Sequence, residues 1–372
     1  MRRILRYNTL LLLTLVSLRV SAQEKSDWQE KPAVYFSGFA DLFYVYDFNQ
    51  PTGTSRQSFL YNHNRHNEFN LNLGLLKVNL SQARYRASLA LQTGTYPNDN
   101  YAKEPGVLKS IAEASVGISL NKSSSLWLDM GILPSPIGFE SAISMDDKTL
   151  TRSLLAENSP YFLTGAKLSF RLNENWEVAG LVVNGWQRIQ RLEGNSLPSF
   201  STQVSYRPKT NVTLNWSTFL GTDDPDSTRR MRYFSNTYGI IQVSDRMTLI
   251  AGFDIGAQQQ TKGGSSYDVW FSPTIITQFA FNQIWKTALR AEYYQDANGV
   301  IVSTDTPNGF RTSGFSWNLD YSPTQWINWR LEVRWLGSKD DIFPTENLPT
   351  DRNWIVGTSL AFRFLERIDG EH

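Results

Sequence analysis

Residues 285–294 read WKTALRAEYY, and the character of the side chain changes at almost every step. Apolar and aromatic side chains such as Trp285 and Leu289 take one set of alternate positions, and charged side chains such as Arg290 and Glu292 take the other. A period of two places these sets on opposite faces of a β-strand. The stretch therefore predicts a strand with one apolar face and one charged face.

The same alternation recurs along the chain. It is clear in residues 327–335, INWRLEVRW, and in residues 200–207, FSTQVSYR. Sixteen strands are predicted in this way, and single-chain bacterial outer-membrane barrels have an even number of strands. The predicted strands cover residues 33–48, 68–80, 85–94, 111–120, 126–132, 161–172, 176–184, 200–208, 212–221, 232–243, 247–258, 267–281, 285–295, 310–321, 326–336 and 353–364.

The connections between these strands alternate in length. Short polar turns such as 173–175 alternate with longer loops, and the third long loop, 133–160, is the longest. Aromatic side chains such as Phe281 and Trp285 stand where short turns meet strands. Short turns at one end, long loops at the other and aromatic girdles at both interfaces are typical of outer-membrane barrels. The sequence therefore predicts an all-β fold, a single transmembrane antiparallel barrel of about 16 strands over residues 33–364.

The composition favours the same class of protein. Aromatic residues make up 13% of the chain, and there is no cysteine. After Ala22 no stretch approaches the roughly 18 consecutive apolar residues of a membrane helix. The absence of cysteine excludes a disulfide scaffold, a catalytic thiol and a lipid-modified N-terminal cysteine.

The two ends of the chain are predicted to lie outside the barrel. Residues 1–22 have an arginine-rich start, an apolar run and small residues before Gln23, as secretory signal peptides do. Their removal lowers the number of basic residues from 36 to 32 against 35 acidic ones, so a nucleic-acid partner is not expected. Residues 23–32 are predicted to form an N-terminal periplasmic segment, and residues 365–372 a disordered C-terminal tail.

The last predicted strand ends on the aromatic residue Phe364. Such an ending looks like the carboxy-terminal signal that the barrel-insertion machinery recognises, although eight residues follow it here. The machinery is therefore an expected partner during assembly, and outer-membrane lipid is the expected surrounding of the folded barrel.

If the apolar faces meet lipid, the charged faces line a lumen. A barrel of sixteen strands is wide enough to hold an aqueous channel, in which water solvates these charges. The charged residues predicted to face the lumen are Lys167, Arg171, Arg207, Asp254, Lys286, Arg290, Glu292, Asp320, Arg330, Glu332, Arg334 and Arg363, together with Gln203.

The long loop 133–160 is more apolar than a solvated loop, with Ile137, Leu150 and Leu154 among its side chains. Such a loop is predicted to fold into the lumen and to narrow it. The alternative is a loop that packs over the rim or against a partner subunit.

A loop folded inward also predicts a pore constriction. Its acids are expected to face arginines of the wall and to produce a transverse field, which sets ion selectivity. Neutral amides at the three acids are then expected to shift selectivity toward anions. The acids are Glu140, Asp146 and Asp147, and the arginines are Arg290, Arg330 and Arg334.

Several sequence segments resemble those of the OmpL-like β-barrel porin family. The resemblance covers most of the chain after the leader, and it implies an outer-membrane porin without any catalytic or binding residues to transfer. The segments are SFLYNHNRHNE at 58–68, GFESA at 138–142 with TRS at 151–153, AENSPY at 156–161 with Thr164-Gly165, NGWQ at 184–187 and TPNGF at 306–310.

These observations predict a porin of the outer membrane of a diderm bacterium. It is expected to let small polar solutes or ions diffuse passively through a water-filled channel, without a cofactor and without enzymatic activity. Association into a homotrimer is possible on this basis and is not decided by the sequence.

Two other functions stay open at this point. A barrel hydrolase would need a nucleophile with a base, and the histidines available are His63, His66 and the terminal His372. A binding or adhesion barrel would use external loops, where aromatic and acidic residues such as Trp186 and Asp223 occur. The acids of the run Asp223-Asp224-Pro225-Asp226 do not have the spacing of the defined calcium loop.

Overall fold

The computed structural model describes residues 26–368, whose strands form one closed antiparallel barrel. Sixteen strands follow one another around the barrel in chain order, which confirms the predicted fold class. The strands are β1 (Ala33–Asp47), β2 (Phe69–Ser81), β3 (Tyr85–Thr93), β4 (Ile111–Ser119), β5 (Leu126–Pro134), β6 (Phe162–Arg171), β7 (Trp176–Val183), β8 (Ser199–Lys209), β9 (Val212–Gly221), β10 (Arg232–Ser244), β11 (Met247–Gln259), β12 (Tyr267–Ala280), β13 (Trp285–Asp296), β14 (Phe310–Thr324), β15 (Ile327–Ser338) and β16 (Arg352–Ile368).

The barrel closes through pairing of its first and last strands. In the register of β1 and β16, Val34 lies opposite Ile368 and Asp47 lies opposite Ile355. The predicted C-terminal tail is therefore wrong over residues 365–368, because this segment pairs with β1 and extends β16. The predicted signal peptide and the last four residues of the predicted tail lie outside the described residues.

Helical structure between residues 26 and 368 is limited to short pieces. The α-helices are α1 (Ser26–Gln29), α2 (Thr95–Asn100) and α3 (Leu154–Glu157), and two 3-10 turns cover Gly106–Ser110 and Ser144–Asp146. None of the helices in this part of the chain is long and apolar enough to cross a membrane.

The outward faces of the strands carry the apolar side chains. Leu289, Phe315 and Leu360 are about half exposed, whereas the charged neighbours Arg290 and Glu332 are buried. Apolar side chains that point out of a barrel are solvated by acyl chains rather than by water. The alternation in the sequence therefore separates the side chains that face lipid from those that face the lumen.

Short turns and long loops lie at opposite ends of the barrel. Turns of a few residues join β2 to β3, β4 to β5 and each later pair in the same sequence. The long loops are L1 (48–68), L2 (94–110), L3 (135–161), L4 (184–198), L5 (222–231), L6 (260–266), L7 (297–309) and L8 (339–351). Outer-membrane barrels place the short turns in the periplasm and the long loops outside the cell.

The largest apolar cluster lies where the loops L1, L3, L7 and L8 meet inward-facing side chains of the strands. Phe59 of L1 packs against Phe310 at the start of β14 and Phe343 of L8, with ring centroids 4.7 and 6.4 Å apart. Leu154 of L3 belongs to the same cluster and has no exposed surface. The apolar side chains of L3 are thus buried among other loops and strands, and the position of L3 decides what remains of the channel.

Candidate channel interior

L3 begins with contacts to one side of the barrel. The Pro136 carbonyl accepts a hydrogen bond of 2.7 Å from Ser217 Oγ on β9, and the Gly138 amide donates one of 3.0 Å to Asn236 Oδ1 on β10. Gly138 has a φ of +86°, which is strained for residues with a side chain. The ring of Phe139 then lies over Gly252 of β11, where a methyl group would be 2.3 Å from it. L3 therefore leaves β5 and crosses to β9, β10 and β11.

The middle of L3 lies against the opposite part of the wall, and Arg330 of β15 holds it there. The guanidinium donates hydrogen bonds to the main-chain carbonyls of Ser144 at 2.6 Å, Thr149 at 3.0 Å and Asp147 at 2.6 Å. It also pairs with Asp320 Oδ2 at 3.2 Å. Arginine has five donors and no acceptor, so one side chain fastens three carbonyls and keeps its counter-ion.

Arg290 of β13 and Arg334 of β15 bind the next residues of L3. Arg290 donates to the Thr151 carbonyl at 2.5 Å and to Thr149 Oγ1 at 2.9 Å, and Arg334 donates to Thr151 Oγ1 at 3.1 Å. A buried arginine is stable only when its donors are used. L3 supplies these two arginines with acceptors in addition to those of the wall.

The acids of the same wall accept the amides of L3. Glu332 Oε2 accepts from the Thr151 amide at 2.7 Å, and Glu292 Oε2 accepts from the Leu154 amide at 2.6 Å. Their other oxygens pair with arginines, Glu332 with Arg290 at 3.0 Å and Glu292 with Arg334 at 2.7 Å. We call the inward faces of β13 to β16 the clamped wall, because their charges bind L3 directly.

The three predicted loop acids do not face these arginines across open water. Glu140 binds L3 itself, since its carboxylate accepts from the Ser153 amide at 3.1 Å. Asp147 Oδ1 accepts from the Ser141 amide at 2.8 Å. Asp146 pairs with Arg363 of β16 at 2.7 Å. The predicted transverse field is therefore corrected, because Arg290, Arg330 and Arg334 are buried and bind L3 instead of facing the loop acids across an open lumen. Of the three acids, Asp146 is the one with substantial exposure.

Arg152 is a residue of L3 that the sequence reading did not single out. Its side chain is fully buried, donates a hydrogen bond to the Ser141 carbonyl and lies 3.6 Å from Asp147 Oδ2. Its guanidinium also lies 5.7 Å from the centre of the Tyr161 ring. One charge thus joins the start, middle and end of L3. The sequence does contain an indication of this role, because an arginine in an apolar loop must find partners when the loop is buried.

Two acids of L3 titrate unusually because they are buried. Burial raises the pKa of Glu157 to about 7, although Arg152 and the amides of Tyr61 and Asn62 act in the opposite direction. Burial also raises the pKa of Asp147, again opposed by Arg152. Glu157 accepts hydrogen bonds from the Tyr61 amide at 2.9 Å and the Asn62 amide at 3.2 Å. This carboxyl group therefore joins L3 to L1.

The part of the lumen wall beyond β1, from β2 to β5, carries charges that L3 does not bind. Lys77 of β2 pairs with Glu113 of β4 at 2.5 Å, and Arg86 of β3 pairs with Asp129 of β5 at 2.6 Å. The Arg86 side chain is 43% exposed, whereas the Arg290 side chain has no exposed surface. We call the inward faces of β2 to β5 the open wall. A cavity of about 410 Å³ separates it from residues 137–143 of L3.

A second cavity lies among the long loops. It measures about 480 Å³ and is bounded by L1, L2, L3, L4, L5 and L7. Tyr101 and Ser159 line both this cavity and the one beside the open wall, so the two adjoin. The cation Arg232 at the start of β10 lies 5.2 Å from the Trp186 ring centre in this cavity.

The remaining predicted lumen residues are spread around the barrel. Lys167 lies opposite Asp129 in the pairing of β5 and β6, and Arg171 lies opposite Glu177 in the pairing of β6 and β7. Arg207 is an exposed residue near the end of β8. On the other side, Lys286 lies opposite Asp320 in the pairing of β13 and β14, and Asp254 of β11 accepts a hydrogen bond from Asn236 at 2.5 Å. Gln203 of β8 donates one to Asn215 at 2.9 Å.

The histidines of L1 have structural contacts. His63 Nε2 lies 2.8 Å from Asp41 Oδ2, and His66 Nδ1 accepts from the Asp47 amide at 3.0 Å. Asp41 also accepts from Ser144 Oγ of L3 at 2.7 Å. Within residues 26–368, no group of three or more His, Cys, Asp or Glu side chains is arranged to hold a metal ion. The contacts of His63 and His66 fasten L1 to β1.

The acids of L5 likewise bind neighbouring groups. Asp223 Oδ1 accepts from the Trp186 amide at 2.9 Å, and Asp224 Oδ2 accepts from Arg230 Nε at 2.8 Å. Asp226 pairs with Arg229. These contacts order the external loops, and they leave the three carboxylates divided among separate partners.

A closed sixteen-stranded barrel with apolar outer faces, charged inner faces and a long loop folded inside defines an outer-membrane porin. The family model described as "Putative beta-barrel porin-2, OmpL-like" matches residues 33–364. The chain belongs to this family, which confirms the resemblance read from the sequence, and it is a porin of the bacterial outer membrane. Comparison with curated protein sequences finds no match.

Several solved structures have a similar fold. The outer membrane channel DcaP of Acinetobacter baumannii matches with a TM-score of 0.61 and 10% identity, over 90% of this chain and 98% of that one. The anion-selective porin from Comamonas acidovorans matches with a TM-score of 0.60 and 8% identity, over 90% and 100%. The trimer form of OmpT from Vibrio cholerae matches with a TM-score of 0.59 and 6% identity, also over 90% and 100%. At these identities the likeness concerns the fold.

Proposed function

We propose that this porin is a narrow passive channel whose water-filled path runs between L3 and the open wall. The observation that carries the proposal is the asymmetry of the lumen. Charges of the clamped wall are covered by L3, whereas Arg86 of the open wall is 43% exposed. Small hydrophilic solutes and ions are the expected cargo, because the path is lined by charged and polar groups and limited in width by L3.

The proposed route joins the two cavities. A solute enters among the external loops, passes Tyr101 and Ser159 into the space beside residues 137–143, and then meets the Lys77–Glu113 pair. The Arg86–Asp129 pair follows toward the short turns, since β3 and β5 both begin at that end. Both of these pairs place opposite charges side by side. We therefore expect weak ion selectivity and no single tight binding step.

Thiol labelling tests the route, because the chain has no cysteine and any introduced thiol is unique. Ser88→Cys places the thiol on the inward face of β3, where the side chain is partly exposed, and Ser316→Cys places it on the inward face of β14, where the residue is buried. A charged methanethiosulfonate reagent is added to refolded protein in a planar bilayer. Current through Ser88→Cys should fall within the recording, whereas current through Ser316→Cys should not change.

The opposite pattern would place the path along the clamped wall, and a sealed bilayer with correctly folded protein would remove the channel proposal itself. A sealed barrel would favour a binding or adhesion function for the external loops. Detection of hydrolysis by the refolded protein would favour the barrel hydrolase.

We also propose that the barrels associate as a homotrimer. Support comes from the trimer form in which OmpT of Vibrio cholerae was solved, a protein of similar fold. Native mass spectrometry of the detergent-solubilised protein tests this directly, since a trimer and a monomer differ threefold in mass. A monomer at all protein concentrations would contradict the trimer and leave the channel proposal intact.

A further inference from the structure

A third cavity lies at the short-turn end of the barrel, beneath the tip of L3. It measures about 340 Å³ and is lined mainly by polar groups. Lys148 enters it from L3 and Lys286 from the start of β13. Gln278 of β12, Gln283 of a short turn and Asn328 of β15 add amide groups. The cavity therefore has walls from two separate parts of the molecule, the loop and the barrel.

The two lysines of this cavity lie near Asp320, but neither is bonded to it. Neither Lys148 nor Lys286 makes a hydrogen bond or an ion pair to any residue between 26 and 368 in this structure. Burial lowers the pKa of Lys148, and the neighbouring charges of Lys286 and Arg330 lower it further, although Asp147 and Asp320 act in the opposite direction. Cations thus face one another across a small space, which is unfavourable unless an anion lies between them.

Two acids, Asp147 and Asp320, line the cavity together with four cations, Lys148, Lys286, Arg330 and Arg363. Asp320 pairs with Arg330 at 3.2 Å, and Asp146 pairs with Arg363 at 2.7 Å. Asp147 accepts from the Ser141 amide and lies beside Arg152. Each carboxylate thus has a cation or donor elsewhere in its immediate contacts. The positive charge of the two lysines is left over after the ion pairs are assigned.

We propose that this cavity binds a small multivalent oxyanion of the phosphate or sulfate class, held between Lys148 and Lys286. Such an ion has several acceptor oxygens and offers one to each ammonium group, while the amides around it donate further hydrogen bonds. Because one lysine belongs to L3 and the other to the barrel wall, the bound ion fastens the tip of L3 to β13. The ion enters from the short-turn end, where the cavity opens between two turns.

Binding itself does not depend on conduction, but its effect on current rests on the proposed channel. A tip of L3 that is held by an extra pair of charge-assisted hydrogen bonds fluctuates less, so the current through the path beside L3 becomes quieter. The effect is expected from phosphate on the short-turn side alone, because L3 separates this cavity from the external loops. Two measurements therefore test the proposal independently of each other.

The first measurement is titration calorimetry of the refolded full-length protein with inorganic phosphate, at constant ionic strength maintained with chloride. Wild type should bind phosphate saturably, and Lys148→Gln and Lys286→Gln should each weaken binding roughly tenfold, as loss of a charged hydrogen bond does. Lys122→Gln is the matched control, since Lys122 is an exposed lysine of the short turn between β4 and β5 and lines none of the three cavities. Far-UV circular dichroism verifies that each variant is folded.

The second measurement is single-channel recording with phosphate added to one side at a time. Phosphate at the short-turn side should reduce current noise in wild type and in Lys122→Gln, and should have no such effect in Lys148→Gln or Lys286→Gln. Equal phosphate affinity in wild type and both cavity variants would overturn the oxyanion site, as would an equal response to chloride. Saturable, lysine-dependent binding by a protein without conductance would support the site and contradict the channel. Conductance without phosphate binding would support the channel and contradict the oxyanion site.

Discussion

The clamped wall and the open wall are built from the same kinds of residue, and yet they have different roles. Both carry arginine and carboxylate side chains on their inward faces. On the clamped wall Arg290 lies within 3.2 Å of both Glu292 and Glu332 and has no exposed surface. On the open wall Arg86 has a single acidic partner, Asp129, and reaches water. The difference lies in what covers the charges.

This comparison shows how a loop is held inside an aqueous barrel. A charge taken out of water needs hydrogen bonds and ion pairs in place of its hydration. The carbonyls and amides of residues 144–154 supply these bonds to the clamped wall. The arginines in turn satisfy main-chain groups of L3 that would otherwise be buried without partners. Wall and loop therefore stabilise each other, and neither has an equivalent on the open wall.

The largest expected effect comes from removal of L3. Replacement of residues 139–158 by two glycines is geometrically reasonable, because a methyl group on Gly138 would lie 3.8 Å from Ser159 Oγ. The deletion uncovers the clamped wall and widens the path. Single-channel conductance should rise on the order of threefold, since a barrel of sixteen strands leaves an aqueous channel when unobstructed. The Ser316→Cys thiol should also become reactive in this background.

An unchanged conductance in the deletion variant would show that L3 does not limit the path. A matched insertion of two glycines into the short loop L6 controls for altered loop length. It should leave conductance at the wild-type value, because L6 does not line either of the cavities proposed as the route.

The fold could be predicted from the sequence because a barrel strand has a local signature. Side chains of 285–294 alternate whether or not the neighbouring strands are known, and the structure has β13 at Trp285–Asp296. The end of β16 was the exception. Residues after Phe364 were predicted to be a tail because the aromatic end resembles a terminal signal, but their partner β1 extends far enough to pair with them.

For the channel interior, the sequence predicts which segments contact each other but not which atoms bind. The apolar content of L3 indicated that it folds inward, and Arg290, Arg330 and Arg334 do contact it. Their bonding partners were predicted to be acids, because side-chain charge is visible in a sequence. Every residue has a main-chain carbonyl, so the sequence does not indicate which carbonyls accept hydrogen bonds from the arginines. The pairing of Asp146 with Arg363 is also non-local, since it joins positions more than two hundred residues apart.

The next largest effect is expected from loss of one arginine on each wall. Arg330→Ala removes three hydrogen bonds to L3 and leaves Asp320 without its cation. Breaking a buried pair costs about 3–5 kcal/mol, whereas a partly exposed pair contributes about 0–1 kcal/mol. Urea unfolding in lipid vesicles should therefore show a large loss for Arg330→Ala and a small one for Arg86→Ala. Equal losses would remove the distinction between the walls.

A smaller effect is expected on ion selectivity, and here the open wall should dominate. Glu113→Gln leaves Lys77 without its acid in the proposed path, so the reversal potential in a salt gradient should shift toward anions, roughly twofold in permeability ratio. Glu332→Gln is the control, because this carboxylate is covered by L3. It should not change selectivity in a correctly folded barrel. A shift that occurs only in Glu332→Gln would place the ions on the clamped wall.

The smallest effect concerns the contact between L3 and L1, which depends on the protonation of Glu157. Its pKa of about 7 lies above the ordinary 4.5, so the docked loop favours the protonated carboxyl group. The contact between L3 and L1 is therefore most stable at a pH below 4.5. It weakens as the pH rises from 4.5 to about 7, and its stability no longer changes above that pH. The amides of Tyr61 and Asn62 favour the charged form and limit the loss. Current fluctuations should therefore increase roughly twofold between pH 5 and pH 7.5. In Glu157→Gln they should be nearly independent of pH over that range, and an equal increase in this variant would assign the titration to another group of L3, such as Asp147.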